Sequence, residues 1–497
     1  MGKSARWSLC ALLLVVPLSQ GGEKPEPQRP IALLEAVRLA LERNLTLAAQ
    51  KLAPKMADAI IVEQMAIFDP TAYANFIRTK KKEQSTSDLF GEMEQTAQAT
   101  IGLTKLFPPG TTADIHLGAS REWNNYPFVT VNPAYNEEWG ITVTQPLLRG
   151  FGIRVNTAGI AIARNERNIV LAQLRDAALQ TAADTMKAYW ELVFAIQNRQ
   201  LLQRSLERAQ HLLEEVQARV EAGVLGERDP SVAQAKAEVS IRQEEIVVAE
   251  DAIRDAEELL KTTTELAADP AIWKTRLVPV SEPPTDIRCP SAEEAVQTAL
   301  QKRPDYRASL LAIRSRELEL LVRRNQILPK LDIVAGGGHT GVGATWDQAD
   351  HSIGTLDYYN WSLGLNFEYP LWNRAAKSRA RQADLQRQQA VINLRALQRQ
   401  IQLEVRTAIR QVATNMGRLR AAEASVRAEE ERLRAEEIRF REARVGTGQD
   451  VLDAQAALAQ AEIRRLRALI DLNNSAVEAK RLMGTLLEAY NIVFEEE

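Results

Sequence analysis

Residues 361–369 read Trp361-Ser362-Leu363-Gly364-Leu365-Asn366-Phe367-Glu368-Tyr369, with Pro370-Leu371 behind them. Large apolar side chains alternate with small or polar ones throughout. A period of two belongs to a β-strand with one oily face and one polar face. The run also matches the roughly 9–11 residues with which a tilted strand crosses a bilayer. Two other stretches alternate in the same way. Trp139, Ile141 and Val143 are interleaved with Gly140, Thr142 and Thr144, and Ala113, Ile115, Leu117 and Ala119 with Asp114, His116, Gly118 and Ser120. A soluble, half-buried sheet would alternate identically. Two features favour the membrane. Trp123, Trp139, Trp346, Trp361 and Trp372 fall in or beside these strands, as in an interfacial girdle. Each strand block also sits between long helical stretches, which leaves a soluble sheet nothing to pack against.

Outward from the strands, those helical stretches dominate. Ile160 to Ala222 contains neither Gly nor Pro, and at 1.5 Å per residue it spans roughly 95 Å. Leu202, Leu206, Ala209, Leu213, Val216 and Val220 step by fours and threes, a heptad seam. Leu452, Ala456, Ala459, Ile463, Leu466, Ile470 and Val477 form another. Val412, Leu419, Val426, Leu433 and Phe440 recur every seven residues. The Arg and Glu opposite them, as in Glu429 to Glu437, read as solvated helix faces. The fold class expected is therefore mainly α with membrane β: long antiparallel coiled helices joined to membrane strands. One chain has too few strands to close a wide barrel, and open strand edges cannot face lipid. The strands must be pooled between chains, so a homo-oligomer is expected.

The chain repeats itself. Glu35-Ala36-Val37 with Ala40-Leu41 matches Glu294-Ala295-Val296 with Ala299-Leu300. Gln145-Pro146-Leu147 matches Tyr369-Pro370-Leu371, and Asp229 with Gln234-Ala235 matches Asp450 with Gln455-Ala456, in the same order. Pro270, Pro279, Pro283, Pro284 and Pro290 mark a linker between the copies. The expected layout is a first repeat at 31–268 (strands about 70–145, helical hairpin 150–266), a linker at 269–290, a second repeat at 291–488 (strands about 331–370, hairpin 372–486) and a tail at 489–497. The first repeat also carries strand-like sequence at Tyr73–Lys80 and Thr100–Phe107. Either a longer hairpin or a larger barrel would account for it.

Composition narrows the class. Among 497 residues, 62 basic and 65 acidic side chains nearly cancel, which leaves no general pull toward nucleic acid. Lys3 and Arg6, the apolar run Leu9–Leu18 and the small residues at Ser19-Gln20-Gly21 read as a secretory signal peptide at 1–21. Cys10 would leave with it, and Cys289 alone cannot build a disulfide framework. His116, His211, His339 and His351 are scattered without ligand spacing, so no metal or cofactor is expected. No Ser-His-Asp arrangement or clustered carboxylate pair stands out. Gly336-Gly337-Gly338 follows a strand but opens no helix, so it is not a phosphate loop. A channel, not an enzyme, is expected.

The segment Val445-Gly446-Thr447-Gly448-Gln449-Asp450-Val451-Leu452-Asp453-Ala454 resembles a signature of the TolC family of outer-membrane efflux proteins. Met483-Gly484-Thr485-Leu486 continues it, and Gln145-Pro146-Leu147-Leu148 is similar to that family's strand-to-helix junction. The resemblance implies a homotrimer in the outer membrane that extends into the periplasm: a long antiparallel coiled-coil α-barrel joined to a trimer-shared transmembrane β-barrel. It implies partnership with an inner-membrane transporter and a periplasmic adaptor, and export of drugs, metals or proteins. It places the gate at the hairpin tips. Asp229, Asp450 and Asp453 match acidic tip positions, Arg228 and Arg444 stand where neighbouring tips could be bridged, and Gly223, Gly226, Gly446 and Gly448 make the tip turns. Pro146 and Pro370 take the strand-to-helix junctions. Asp229, beside Pro230 at the first helical position, fits a helix N-cap very well, and for this residue capping is the favoured reading. Ala443 stands where the family often has an aromatic. The rival expectation is a periplasmic coiled-coil adaptor, which would need one helical hairpin and no membrane strands.

Overall fold

A computed structural model describes residues 27–84, 91–222, 230–441 and 447–494. Strand β1 (Gln28–Ile31) leads into helices α1 (Leu33–Arg43), α2 (Leu45–Gln50) and α3 (Leu52–Met65). Four strands follow: β2 (Thr71–Lys82), β3 (Met93–Leu106), β4 (Thr112–Asn124) and β5 (Ala134–Pro146). A short turn, α4 (Ile153–Asn156), opens the long helix α5 (Ala158–Glu221), and α6 (Pro230–Thr263) runs back beside it to β6 (Arg276–Pro279). The second round has α7 (Ala292–Lys302), α8 (Pro304–Asn325), β7 (Lys330–Gly343), α9 (Trp346–Gly354) and β8 (Tyr359–Glu368). It then has α10 (Arg374–Arg441), α11 (Gly448–Leu482) and α12 (Leu486–Ala489). The signal-peptide expectation at 1–21 lies outside the described residues.

Helix α5, with 64 residues, and α10, with 68, each run about 95–100 Å. No single partner is that long. The tip-ward half of α5 pairs with α6, as the Arg199–Glu250 ion pair at 3.0 Å shows, and its other half with α3, through Arg167–Asp58 at 2.6 Å. In the same way α10 pairs with α11 and, nearer the sheet, with α8. The result is one wall four helices wide. Its order is α6, α5, α11, α10 toward the tips and α3, α5, α8, α10 toward the sheet.

The heptad positions hold this wall together. Val412, Leu419, Val426, Leu433 and Phe440 are all buried, one in every seven residues. On α5 the seam departs from expectation. Leu212 is buried where Leu213 was expected, and Leu213 is only half-buried. A straight helix turns every 3.6 residues and drifts off a seven-residue repeat, so the core moves to the adjacent side chain. Ala456 and Ile463 on α11 are likewise half-buried.

Midway along the wall lies the main hydrophobic core. Tyr189, Met186 and Leu192 of α5 pack there with Ile31, Val37, Leu277 and Leu486. Strand β1 pairs in parallel with β6, so the start of the first repeat meets the linker. Tyr189 clamps that junction. Its hydroxyl donates to the Ile31 carbonyl (3.1 Å) and accepts from the Ser281 amide (2.9 Å).

The six remaining strands form one antiparallel sheet in the order β2-β3-β4-β5-β7-β8. Both extra strand-like stretches of the first repeat belong to it as β2 and β3, which decides for the larger sheet. Gly336, Gly337 and Gly338 lie inside β7 rather than after a strand. The register puts Ile101, Leu117, Trp139, His339 and Tyr359 in one cross-strand row, and Leu103, Ile115, Ile141, Gly337 and Trp361 in the next. These rows make one face largely apolar. The opposite face carries Asp114, His116, Thr142, Thr340 and Ser362. Helix α9 lies on the apolar face at one end, over Gly341 and Gly343. A Cβ on Gly341 would fall 2.3 Å from the Ala349 carbonyl oxygen, so only glycine lets the helix dock.

Candidate functional site

The expected gate lies at the far end of the wall from the sheet. Gly223, Gly226, Arg228 and Asp229 of the first tip, and Arg444 and Gly446 of the second, lie outside the described residues. Gly448, Asp450 and Asp453 are described. Gly448 is the first residue of α11 and is buried. The place of its missing Cβ is 3.7 Å from Ser231 and 3.8 Å from Val216, so the second tip packs against the first.

Asp450 serves a capping box. The Thr447 amide donates to its Oδ2 (2.9 Å), the Thr447 hydroxyl donates to the same oxygen (2.7 Å), and the Asp450 amide donates back to Thr447 Oγ1 (3.3 Å). The bond from the Thr447 side chain, seconded by its backbone, holds the Asp450 carboxyl below the usual carboxylate range. Asp453 Oδ1 accepts from the Gln449 side-chain Nε2 at 2.7 Å. Gln449, Asp450 and Asp453 are exposed, whereas Val451, Leu452, Ala454 and Gln455 are buried. The first turn of α11 therefore shows an acidic face away from its packed side.

A second tie between the tips was not read from the sequence. Arg219, near the end of α5, lays its guanidinium 3.8 Å from the centre of the Phe440 ring. It donates to the Phe440 carbonyl (2.9 Å) and to Glu215 (3.0 Å), and Arg441 reaches Glu215 from the other hairpin at 3.4 Å. Phe440 was visible as a heptad position. Its partner was not, because a charged residue beside a seam normally points to solvent. Further up, Arg208–Glu462 (3.3 Å) and Arg467–Glu191 (2.7 Å) join the two hairpins along α5 and α11.

At the other end, Pro146 closes β5, and Pro370 follows β8 by two residues, so both stand where strand passes to helix. Edge strands β2 and β8 are exposed on both faces along their whole length. Among the described residues no helix is long and apolar enough to cross a membrane, and no group of three or more His, Cys, Asp or Glu gathers as a metal site. The apolar sheet face, two bare strand edges and a wall about 100 Å long define a membrane-channel subunit that reaches far from the bilayer.

A profile of the outer membrane efflux protein family matches residues 36–264 and 295–485, so the chain belongs to that family. Its place is the outer membrane, with the wall reaching into the periplasm, and its role is that of an efflux exit duct. The fold is similar to that of the Campylobacter jejuni CmeC outer membrane channel, at 19% identity and a TM-score of 0.63, over 91% of this chain and 86% of that one. It is similar also to the open state of the Neisseria gonorrhoeae MtrE outer membrane channel, at 20% identity and a TM-score of 0.63, over 91% and 89% of the two chains. The Vibrio cholerae outer membrane protein VceC gives 18% identity and a TM-score of 0.62, over 93% and 97%. No curated protein matches the chain significantly by sequence. Channels of this family work as trimers with an adaptor and an inner-membrane pump.

Proposed function

We propose that three copies of this chain form a conduit gated at the hairpin tips and free of catalysis, from a periplasmic pump complex to the exterior. The single observation that carries this reading is the pair of bare strand edges. In hydrocarbon, an unpaired backbone amide or carbonyl costs several kcal/mol, so β2 of one copy must meet β8 of the next. Pooling six strands from each of three copies makes a barrel of eighteen. At about 4.8 Å between strands and a tilt near 40°, that barrel is about 35 Å across, wide enough for an aqueous channel. The helical edges agree. Met56, Ile60, Ile241 and Val248 on the α3/α6 edge, and Leu385, Ile392 and Leu403 on α10, are exposed apolar side chains that a neighbouring copy would cover.

In this reading the chain is a tandem duplication, 31–268 and 291–488, joined by the linker 269–290. Asp450 and Asp453 ring the periplasmic entrance, where three acidic faces would favour cations. The partners are an inner-membrane transporter and a periplasmic adaptor, and the transporter rather than this wide tunnel chooses the cargo. The test is single-channel recording in planar bilayers, with the mass of the assembly measured alongside. Asp450→Asn with Asp453→Asn should lower cation selectivity and leave the trimer intact. Unchanged selectivity would remove these residues from the constriction, and a monomeric mass would remove the conduit.

A further inference from the structure

Where the sheet gives way to the helices, the chain builds a rigid apolar pocket that the conduit itself does not use. The turn between β3 and β4, the link from β5 to α5 and the end of α8 meet there. Gly152 donates its amide to the Pro109 carbonyl (3.0 Å), and Gly150 donates to the Asn325 side chain (2.7 Å). Asn325 donates back to the Leu148 carbonyl (3.2 Å), and Asn156 donates to the Gly150 carbonyl (2.8 Å). Gly110 and Gly152 hold φ of +102° and +106°, a backbone that other residues rarely adopt. Three segments distant in sequence are thus locked before any ligand arrives.

The cavity between them is about 580 Å³ and is lined by Pro109, Phe151, Ile153, Arg154, Val155 and Leu321, among others. Phe151 and Ile153 remain 49% and 58% exposed, too much oily surface for a wall that faces water. Arg154 is exposed at its rim, and among the described residues no carboxylate pairs with it. The second repeat also places exposed apolar side chains and an arginine just after its strand-to-helix proline. After Pro370, Leu371 and Trp372 are 83% and 72% exposed, and the Arg374 guanidinium stands 5.9 Å from the Trp372 ring. Asn373, at a φ of +44°, secures that link through a bond to the Ile327 carbonyl (2.8 Å).

We propose that the pocket at Arg154 binds an anionic phospholipid of the periplasmic leaflet, with the exposed Trp372–Arg374 junction of the second repeat as a second headgroup contact. The phosphate lies against the guanidinium and an acyl chain against Phe151 and Ile153. A basic side chain at the rim of an apolar site beside a membrane-facing surface is what selects an anionic lipid. The pocket lies at the end of the sheet where the β3–β4 turn and the link after β5 meet the helices. The inference rests on the reading of that sheet as the membrane barrel.

The test is native mass spectrometry of the full-length assembly in detergent, titrated separately with phosphatidylglycerol, phosphatidylcholine and inorganic phosphate. Phosphatidylglycerol should be retained about tenfold more tightly than phosphatidylcholine, and phosphate should not displace it. Arg154→Gln with Arg374→Gln should erase the preference, while Ile153→Ser should weaken both lipids alike. Undiminished preference in the double Gln variant, or displacement by phosphate alone, overturns the proposal. Membrane fractionation of the same variants separates the two failures. Loss of wild-type protein from the outer membrane would sink the barrel reading, whereas correct location with unchanged lipid binding would sink only the lipid site.

Discussion

Replacing Arg219 with Met removes the tie between the two tips while keeping the length and apolar stem of the side chain. Three interactions go with it. The bond from a charged donor to the Phe440 carbonyl is worth about 1.5–3 kcal/mol. The cation–π contact at 3.8 Å adds about 0.5–1 kcal/mol. The i,i+4 pair with Glu215 lies within α5, persists when the tips part and drops out of the difference. These terms share one side chain and do not add fully, and the site is partly wet, so about 2 kcal/mol is the expected loss. If opening parts the tip of α10 from that of α5, the closed state loses this energy and the open state does not. The open-to-closed ratio should then rise about 30-fold, since each 1.4 kcal/mol is a factor of ten. Open probability in planar bilayers measures it directly. Arg219→Lys keeps the charge but not the fork of donors, and it should fall between the two. Phe440→Leu removes only the ring contact and spares the carbonyl bond, so combined with Arg219→Met it should open the channel little more than Arg219→Met alone. A change under about threefold in the Met variant, or full additivity in the double variant, would refute a tip-locking role for Arg219.

Three further outcomes are expected. Tyr189→Phe leaves the Ser281 amide without its buried partner and frees the Ile31 carbonyl, so it should cost about 1–3 kcal/mol, read as a lower melting midpoint in detergent. Burial opposes the charge on Glu478, but hydrogen bonds from Arg481 and Lys187 outweigh it and lower its carboxyl below the usual range. A depressed carboxylate stabilises the fold above its unfolded pKa and loses that contribution as pH falls through the folded one. Glu478→Gln should therefore destabilise by about 1 kcal/mol at neutral pH, with the deficit shrinking once pH drops below the carboxylate range. Gly341→Val puts a Cβ against the Ala349 carbonyl, so α9 should lift from the sheet. The Tyr135–Trp346 edge contact at 4.7 Å would break, and tryptophan emission should shift to the red.

Much of this architecture was legible without coordinates because it is written in period. Alternation by two marks strands, and Val412 to Phe440 marks a seam by sevens. Both patterns arise from which side of an element meets a partner, and each is local. The tip segment around Asp450 was legible too, through its resemblance to the family signature, but as an acidic tip rather than a capping box. Its use as a cap was clear only from the bonds, because the same residues suit an exposed ring of acids.

What the sequence by itself determined is the long helices and the alternating strands, with their two-faced character, since a period survives in any tertiary setting; it did not reveal α9 between β7 and β8 or the short β1–β6 pair. Only the tertiary structure decided which elements meet. It brought Arg219 over Phe440 across 221 residues of chain, closed β1 on β6, and placed β2 and β3 in the same sheet as β8. It also gathered Gly110, Gly150, Gly152 and Asn325 into one locked junction. Such contacts depend on how elements pack and on where glycine lets two backbones approach, and no periodic pattern in a single strand or helix records its partner.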